Sequence, residues 1–147
     1  MWIFTLSTLA GAITKYEQEL LVFERKILRR LYGGVLIGGK WKRENNQDLY
    51  IMFKEHDIVR VIKIARLRWV GHVVRMDNED PPRQLLMEPL HGTRRRGRPK
   101  LRWADGVAVD ATNMLGLQDW VAAARDQDNW RKLLDEARIR HRIVEPH

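Results

Sequence analysis

The chain has no cysteine and no long hydrophobic run. Zero cysteines among 147 residues exclude a disulfide framework, a Cys-ligated zinc finger and a cysteine nucleophile. The most apolar stretch, residues 1–13, is well short of the ~20 residues that a membrane span needs. It also has no basic segment of the kind that opens a signal peptide. We interpret it as a packed or frayed N-terminus, with a signal peptide as the minor alternative, and expect no membrane partner.

The sequence has few of the patterns that carry catalysis. It contains no Asp-Asp pair, no complete Gly-x-x-x-x-Gly-Lys-Ser/Thr phosphate loop, since Trp41 follows the Gly39-Lys40 that matches its end, and no Gly-x-Ser-x-Gly elbow. Phosphoryl chemistry on nucleic acid usually needs carboxylates that converge on paired metal ions, and Asp105 and Asp110 lie ~140° apart around a helix. His72 has no second ligand at a suitable spacing. The sequence therefore predicts a chain that is not an enzyme, with no cofactor and no metal.

Basic residues are in excess, and they are concentrated in one tract. The net charge of +8 and the pI of about 10.2 point to nucleic acid or an anionic surface as the partner. Residues 92–103 hold six basic side chains and no carboxylate, so this tract carries +6 of that charge. Glycine and proline at 92, 97 and 99 disfavour regular helix over its first two thirds. A phosphate site and a solvated basic loop both fit the charge alone.

RNA or DNA, held by its phosphate backbone, is the partner that we predict, because the fork of an arginine side chain binds phosphate in a bidentate manner. The predicted nucleic-acid-binding residues are Arg94, Arg95, Arg96, Arg98, Lys100, Arg102, Arg66 and Arg68.

Apolar periodicity predicts an all-α fold, a small bundle of four to five amphipathic helices with a basic Gly/Pro-containing connector. The first helix is predicted over residues 16–32, with Gly33 and Gly34 ending it. Its apolar stripe is Tyr16, Leu20, Phe23, Ile27 and Leu31, at steps of three and four residues. The segment 35–42 fits either a short hairpin or an irregular loop. Asn46 is predicted to cap a short helix that His56 closes.

The second long helix is predicted over residues 57–76, with Asp57 as its N-cap. Trp69 lies in the middle of an apolar stripe, so we interpret it as a core residue in preference to a base-stacking platform. Gly71 inside this helix costs ~1 kcal/mol relative to alanine. Close packing against another helix is the simplest explanation for it.

The rest of the chain is predicted to be helical on both sides of the basic tract. Residues 77–82 end the second helix, and 83–90 form an apolar bridge of undefined structure. A helix with Pro99 in its first turn is predicted to end at Gly116, a short one surrounds Trp120, and Asp126 caps the last, around Trp130. We predict an apolar N-terminal segment 1–15, a helical part 16–91, a connector 92–102 and a helical part 103–147.

Four ordered blocks resemble the C-terminal region of non-LTR (LINE-type) retrotransposon endonuclease–reverse transcriptases, over about residues 16–134. The blocks are Leu21–Gly33, Arg66–Met76, Arg95–Asp105 and Ala124–Arg131. In that family the polymerase core, with its metal-binding aspartates, and the endonuclease lie upstream. The resemblance therefore implies a non-catalytic remnant of an RNA-directed DNA polymerase, made of thumb and post-thumb helices that grip nucleic acid. It also implies an intracellular location, the nucleus included, and allows a reverse transcriptase core supplied by another chain.

A second resemblance falls on the same tract. Arg96-Gly97-Arg98-Pro99 is similar to the core of an AT-hook, which lies in the narrow minor groove of A·T-rich DNA. Leu101 and Trp103 resume a helical pattern directly afterwards, whereas AT-hooks usually lie in disordered chains. A third hypothesis is an inert truncated fragment or a helical protein-interaction module.

Overall fold

The computed structural model describes the backbone of residues 3–88 and 102–143, and the side chains of 15–88 and 102–139. In these ranges the chain is all-α, as predicted, with seven α-helices, one π-helical turn and one two-stranded hairpin. It divides into two compact units, Met1–Ile62 and Lys63–His147. No helix within the described ranges is long and apolar enough to cross a membrane.

The first unit begins with a long helix and a hairpin. Helix α1, Ile3–Tyr32, ends directly before Gly33, as the sequence predicts. The predicted start at residue 16 is wrong, because the apolar residues that precede it continue the same helix. Strands β1, Val35–Ile37, and β2, Lys40–Lys42, pair antiparallel. The two glycines between them have φ of +60° and +76°, which is the backbone that a two-residue hairpin turn of type I′ requires. Of the two alternatives for 35–42, the hairpin is the one that forms.

The short second helix begins one residue earlier than predicted. Helix α2 is Asn46–Phe53, and its N-cap is Asn45, whose side chain accepts a 2.9 Å hydrogen bond from the Asp48 N–H. The prediction of Asn46 as the cap is wrong, because Asn46 uses its Oδ1 to accept from Arg29. The helix closes at Lys54, which has a left-handed backbone, and not at His56, which is buried.

Helix α1 packs on α2 through a mixed polar and apolar face. The Glu24 carboxylate on α1 accepts a 2.7 Å hydrogen bond from the Tyr50 hydroxyl of α2. It also accepts a 3.0 Å hydrogen bond from the N–H of Ile58, the first residue of the next helix. Leu28 and Leu49 are buried. The apolar stripe of α1 instead faces solvent, and its exposed members are Tyr16, Leu20, Phe23, Ile27 and Leu31.

Helix α3, Ile58–Val74, contains the boundary between the two units. Asp57 caps it as predicted, accepting from the Arg60 N–H at 2.9 Å. The helix ends two residues before the predicted Met76. Arg83 donates hydrogen bonds to the carbonyls of Val74 and Met76, so its guanidinium satisfies acceptors at the C-terminal end of this helix.

The second unit continues with four more α-helices and the π-helical turn. Asp119 accepts from the Ala122 N–H, and Asp126 accepts from the Asn129 N–H, so both act as N-caps and the predicted role of Asp126 is confirmed. The predicted end at Gly116 is also confirmed, since this residue caps the π-helical turn. The elements are α4 Pro81–Met87, α5 Trp103–Asp110, the π-helical turn Ala111–Leu115, α6 Trp120–Arg125 and α7 Gln127–Ile143.

The core of the second unit closes around Trp130, which is 2% exposed. Its indole lies directly on the backbone of α3 at Gly71, where an added Cβ would come within 2.5 Å of Trp130 Cδ1. The predicted reason for a glycine in this helix, close approach of another helix, is therefore confirmed. The buried cluster is Leu67, Val70, Val74, Val107, Ala111, Trp120, Ala124, Trp130 and Leu134.

Candidate nucleic-acid interface

The predicted interface residues fall partly inside the described structure. Arg66, Arg68 and Arg102 can be placed. The other five predicted residues, Arg94, Arg95, Arg96, Arg98 and Lys100, lie outside the described residues, as does Pro99.

Arg102 is the last basic residue of the tract and directly precedes α5. Its backbone N–H donates a 3.1 Å hydrogen bond to the carboxylate of Asp105, which lies in the first turn of that helix. A carboxylate there also favours the helix electrostatically, because the N-terminal end of a helix carries partial positive charge. The contact fixes the backbone of Arg102 at the N-terminal end of α5.

Arg102 lies on an open groove of about 630 Å³ with an apolar lining. One wall is α4, with two prolines and two leucines, and the other wall is built from α3 and α5. The lining residues are Trp69, Pro81, Pro82, Leu85, Leu86, Arg102, Trp103 and Ala104. The groove therefore combines aromatic rings, aliphatic side chains and one permanently charged guanidinium.

Trp69 and Trp103 meet in this groove. Their ring centroids lie 5.1 Å apart and the ring planes are inclined by 82°, an edge-to-face contact of the kind that aromatic quadrupoles favour. Trp69 is 49% exposed and Trp103 is 42% exposed. Much of each indole is thus accessible in addition to the contact between them.

The prediction that Trp69 is a core residue is therefore wrong. Helix α3 carries Val, Ile or Leu on nearly every side, so apolar spacing does not select a single buried face. The face that packs in the core includes Leu67, Val70 and Val74, and it turns Trp69 outward. Trp120 and Trp130 are buried.

The other two predicted arginines differ in their surroundings. Arg68 is exposed, next to Trp69 in the sequence. Arg66 donates to the carboxylate of Asp110, a residue that is 2% exposed, and Lys63 Nζ lies 3.9 Å from the same carboxylate. A buried carboxylate needs such partners, because removing a charge from water costs several kcal/mol.

Helix α4, which lines the groove, was not predicted from the sequence, because residues 83–90 were interpreted as a bridge of undefined structure. The signal was present: two prolines directly after Asp80 are typical of the first turn of a helix, where a missing N–H costs nothing. Within the described residues, no group of three or more His, Asp or Glu side chains is arranged to hold a metal ion.

These features define a small α-helical protein in which Arg102, the last basic residue of the tract, lines a groove that also contains two tryptophans. The chain is similar to an uncharacterized transposon-derived protein of Caenorhabditis elegans, with 28% identity over 121 residues. The match covers 78% of this chain and 43% of the nematode protein, so the chain spans less than half the length of this relative. No protein-family model matches the chain, and no solved structure matches it. The similarity indicates a transposon origin.

Proposed function

We propose that this chain is a nucleic-acid-binding protein of transposon origin that grips phosphate with residues 94–102. The observation that carries the proposal is the position of Arg102. It is the last of six basic residues in a tract without a carboxylate, and it lies on a groove beside two half-exposed tryptophans. Cationic side chains that follow a phosphate backbone, next to aromatic rings, form a common type of surface for single-stranded nucleic acid.

The finer proposal is that the chain corresponds to the region after the polymerase core of a non-LTR retrotransposon reverse transcriptase. The four ordered sequence blocks support it, and similarity to a transposon-derived protein agrees with it. On this proposal the chain binds template or target nucleic acid without catalysing its synthesis or cleavage. A polymerase core supplied by another chain would then be its protein partner.

The charge requirement of the proposal can be measured through the salt dependence of binding. Each neutralised phosphate of B-DNA contributes about −0.9 to the slope of log K against log salt, so five to six basic contacts should give a slope of about −5. Replacing all six by alanine should flatten the slope and weaken binding to every sequence. The variant carries alanine at Arg94, Arg95, Arg96, Arg98, Lys100 and Arg102.

A matched control removes the same charge elsewhere. Six exposed basic residues outside the tract can be changed to alanine, so that both variants fall from +8 to +2. If the tract is the binding site, this control should retain most of the slope. The control positions are Lys26, Arg30, Lys40, Lys42, Arg131 and Lys132, all exposed. Equal losses in the two variants would show that net charge alone drives binding, and undetectable binding at ~50 mM salt would defeat the proposal.

The AT-hook-like sequence gives a second candidate function, minor-groove binding by Arg96 and Arg98. A minor-groove reader should prefer A·T-rich over G·C-rich duplex at fixed salt, because the narrow A·T groove concentrates negative potential. It should also bind A-form RNA less well, since the minor groove of that helix is wide and shallow. A phosphate-gripping tract should show little A·T preference and should accept RNA.

A polymerase and nuclease assay tests the non-catalytic part of the proposal. The purified chain should show no template-dependent nucleotide incorporation and no strand cleavage with either Mg²⁺ or Mn²⁺, because the sequence has no Asp-Asp pair to hold paired metal ions. Incorporation that copurifies with the chain through several steps, and is lost on substitution of one carboxylate, would overturn it.

A further inference from the structure

The indoles of Trp69 and Trp103 form a corner, because their planes are inclined by 82°. Two rings in this arrangement cannot hold a planar ligand between parallel faces. They can offer one ring face for stacking while the other ring closes the side. The volume of about 630 Å³ falls within the range of about 300–1,000 Å³ that is typical of small-molecule sites.

We infer that this groove, with Arg102 in its lining, is a binding site for one unpaired nucleobase of a single strand. The inference rests on the proposed function and deepens it, because it assigns the strand state of the ligand and the side chains that contact a base. Trp69 and Trp103 supply the stacking surface, and Leu85 and Leu86 of α4 add apolar lining.

Charge complementarity selects a nucleobase over other flat or apolar ligands. The groove is joined at Arg102 to a tract that carries six positive charges, so a ligand that fills the groove must tolerate a strongly cationic neighbour. Asp105, whose carboxylate accepts from the Arg102 N–H, is an opposing charge near Arg102, and Asp80 directly precedes Pro81 of the lining. A nucleotide has a π face for the indole and a phosphate for the arginines.

The site requires an unpaired base. In a duplex both faces of a base are covered by its neighbours and its edge is paired, so entry into a side groove would need the base to leave the stack. Phosphate contacts to the tract need no such change. The groove should therefore add affinity for single strands and nothing for an intact duplex.

The test compares a thymine oligonucleotide with an abasic oligonucleotide of the same length and charge, by fluorescence anisotropy at one salt concentration. On the wild-type chain the thymine strand should bind about tenfold more tightly, as expected for one base stacked on an aromatic residue. Trp69→Leu and Trp103→Leu should each reduce that ratio towards one. Both variants should keep the affinity of the abasic strand, because the phosphate contacts remain.

Trp41→Leu is the matched control. Trp41 is 75% exposed on the hairpin of the first unit, so it is an accessible tryptophan outside the groove. The variant should keep the wild-type ratio, and Trp69→Phe should keep part of it because a smaller aromatic ring remains. The wild-type comparison needs no substitution, so the inference stays testable if a groove variant does not fold.

The outcomes distinguish base binding in the groove from phosphate binding by the tract. Equal binding of the thymine and abasic strands to the wild-type chain would overturn the groove while leaving phosphate gripping in place. If Trp41→Leu reduced the ratio of thymine-strand to abasic-strand affinity as much as the groove variants do, the inference would also be overturned. Failure of both strands to bind would defeat the proposed function and the groove together. Tighter binding of an acidic leucine-rich peptide than of either strand would identify a protein ligand and overturn the base site.

Discussion

The indole N–H of Trp130 donates a 3.0 Å hydrogen bond to the backbone carbonyl of Leu67. Gly71 makes this contact possible, because it lies one helical turn beyond Leu67 and has no Cβ to meet the indole. The carbonyl of a residue in a helix normally accepts only from the N–H four residues later. Here it also satisfies a buried side-chain donor, so Trp130 is anchored by its polar atom as well as by packing.

Gly71→Ala should therefore lower the free energy of unfolding by about 2 kcal/mol, as overpacking in a tight core does. The loss should occur although alanine is the better helix former by ~1 kcal/mol. Urea unfolding at neutral pH measures it, with Gly106→Ala as the matched control. A Cβ at Gly106 would lie 3.4 Å from Arg66 Nη1, an ordinary contact, so this variant should be as stable as wild type or slightly more stable. Equal effects at the two glycines would contradict the Trp130 contact.

Asp110 should be the most costly carboxylate to remove among those described in the second unit. It is buried and accepts from Arg66, with Lys63 nearby, so Asp110→Ala leaves these cations without their counter-charge. We expect a loss of about 2 kcal/mol in unfolding free energy, as for a hydrogen bond to a charged group, because Arg66 is 24% exposed and can be hydrated once Asp110 is removed. Asp135→Ala, at an exposed position on α7, should change stability by less than ~0.5 kcal/mol.

A double-mutant cycle then measures the coupling between Asp110 and Arg66. Arg66→Ala alone and Asp110→Ala alone should sum to more than the double variant costs, because each single change leaves the other partner uncompensated. Strict additivity would mean that the carboxylate is held by other groups, and that Arg66 is available to a ligand.

Tyr50 should make stability fall at alkaline pH. Burial, together with the hydrogen bond to Glu24 and the charge of that carboxylate, raises the pKa of Tyr50 above its ordinary value. The folded state therefore favours the neutral phenol, and this contribution is complete below the unfolded pKa of about 10 and is lost as pH rises above it. Tyr50→Phe should cost about 1 kcal/mol near neutral pH, and the gap to wild type should narrow above pH ~10.

The control for that experiment is Tyr16→Phe, since Tyr16 is exposed on α1. Its stability should follow wild type across the same pH range in urea unfolding. A constant gap between Tyr50→Phe and wild type up to pH ~11 would show that the Tyr50 hydroxyl is not held by Glu24.

Acrylamide quenching of fluorescence should separate the tryptophans into two classes. Trp69, Trp103 and Trp41 are exposed, so Trp→Phe at any of these positions should reduce the quenchable fraction. Trp120→Phe should reduce the protected, blue-shifted fraction instead, because Trp120 is buried. A protected signal that disappears with Trp69→Phe would restore the core interpretation of this residue.

Local signals in the sequence predicted several ends of elements, although not the start of α1 at Ile3. Asp57 and Asp126 were identified as caps, and Gly33 and Gly116 as stops, because each effect depends on a few neighbouring residues. The choice of hairpin over loop at 35–42 was not decidable from the sequence, since both use a Gly-Gly turn. The cap of α2 was missed by one residue because Asn45 and Asn46 are chemically identical, and only a tertiary contact with Arg29 distinguishes them.

Faces were predicted less well than ends. The apolar stripe of α1 and the stripe around Trp69 were both identified by spacing, and both contain side chains that are exposed in the fold. Spacing finds an apolar row, but it does not say which partner covers it when a helix has apolar residues on several sides. Leu28 is buried, although the charged residues Glu24 and Arg29 are close to it on the same helix. Charged neighbours make a packing face difficult to recognise from the spacing of apolar residues alone.

The unequal distribution of buried side chains between the two units has a consequence for amide hydrogen exchange. Of the buried apolar side chains within the described ranges, Leu28, Leu49 and Val59 belong to Met1–Ile62, and the large cluster around Trp130 belongs to Lys63–His147. Local opening is cheapest where few apolar contacts must separate. The amides of α1 and α2 should therefore exchange with solvent deuterium well before those of α3 near Leu67, and the molecule should unfold by steps that begin in its first sixty residues.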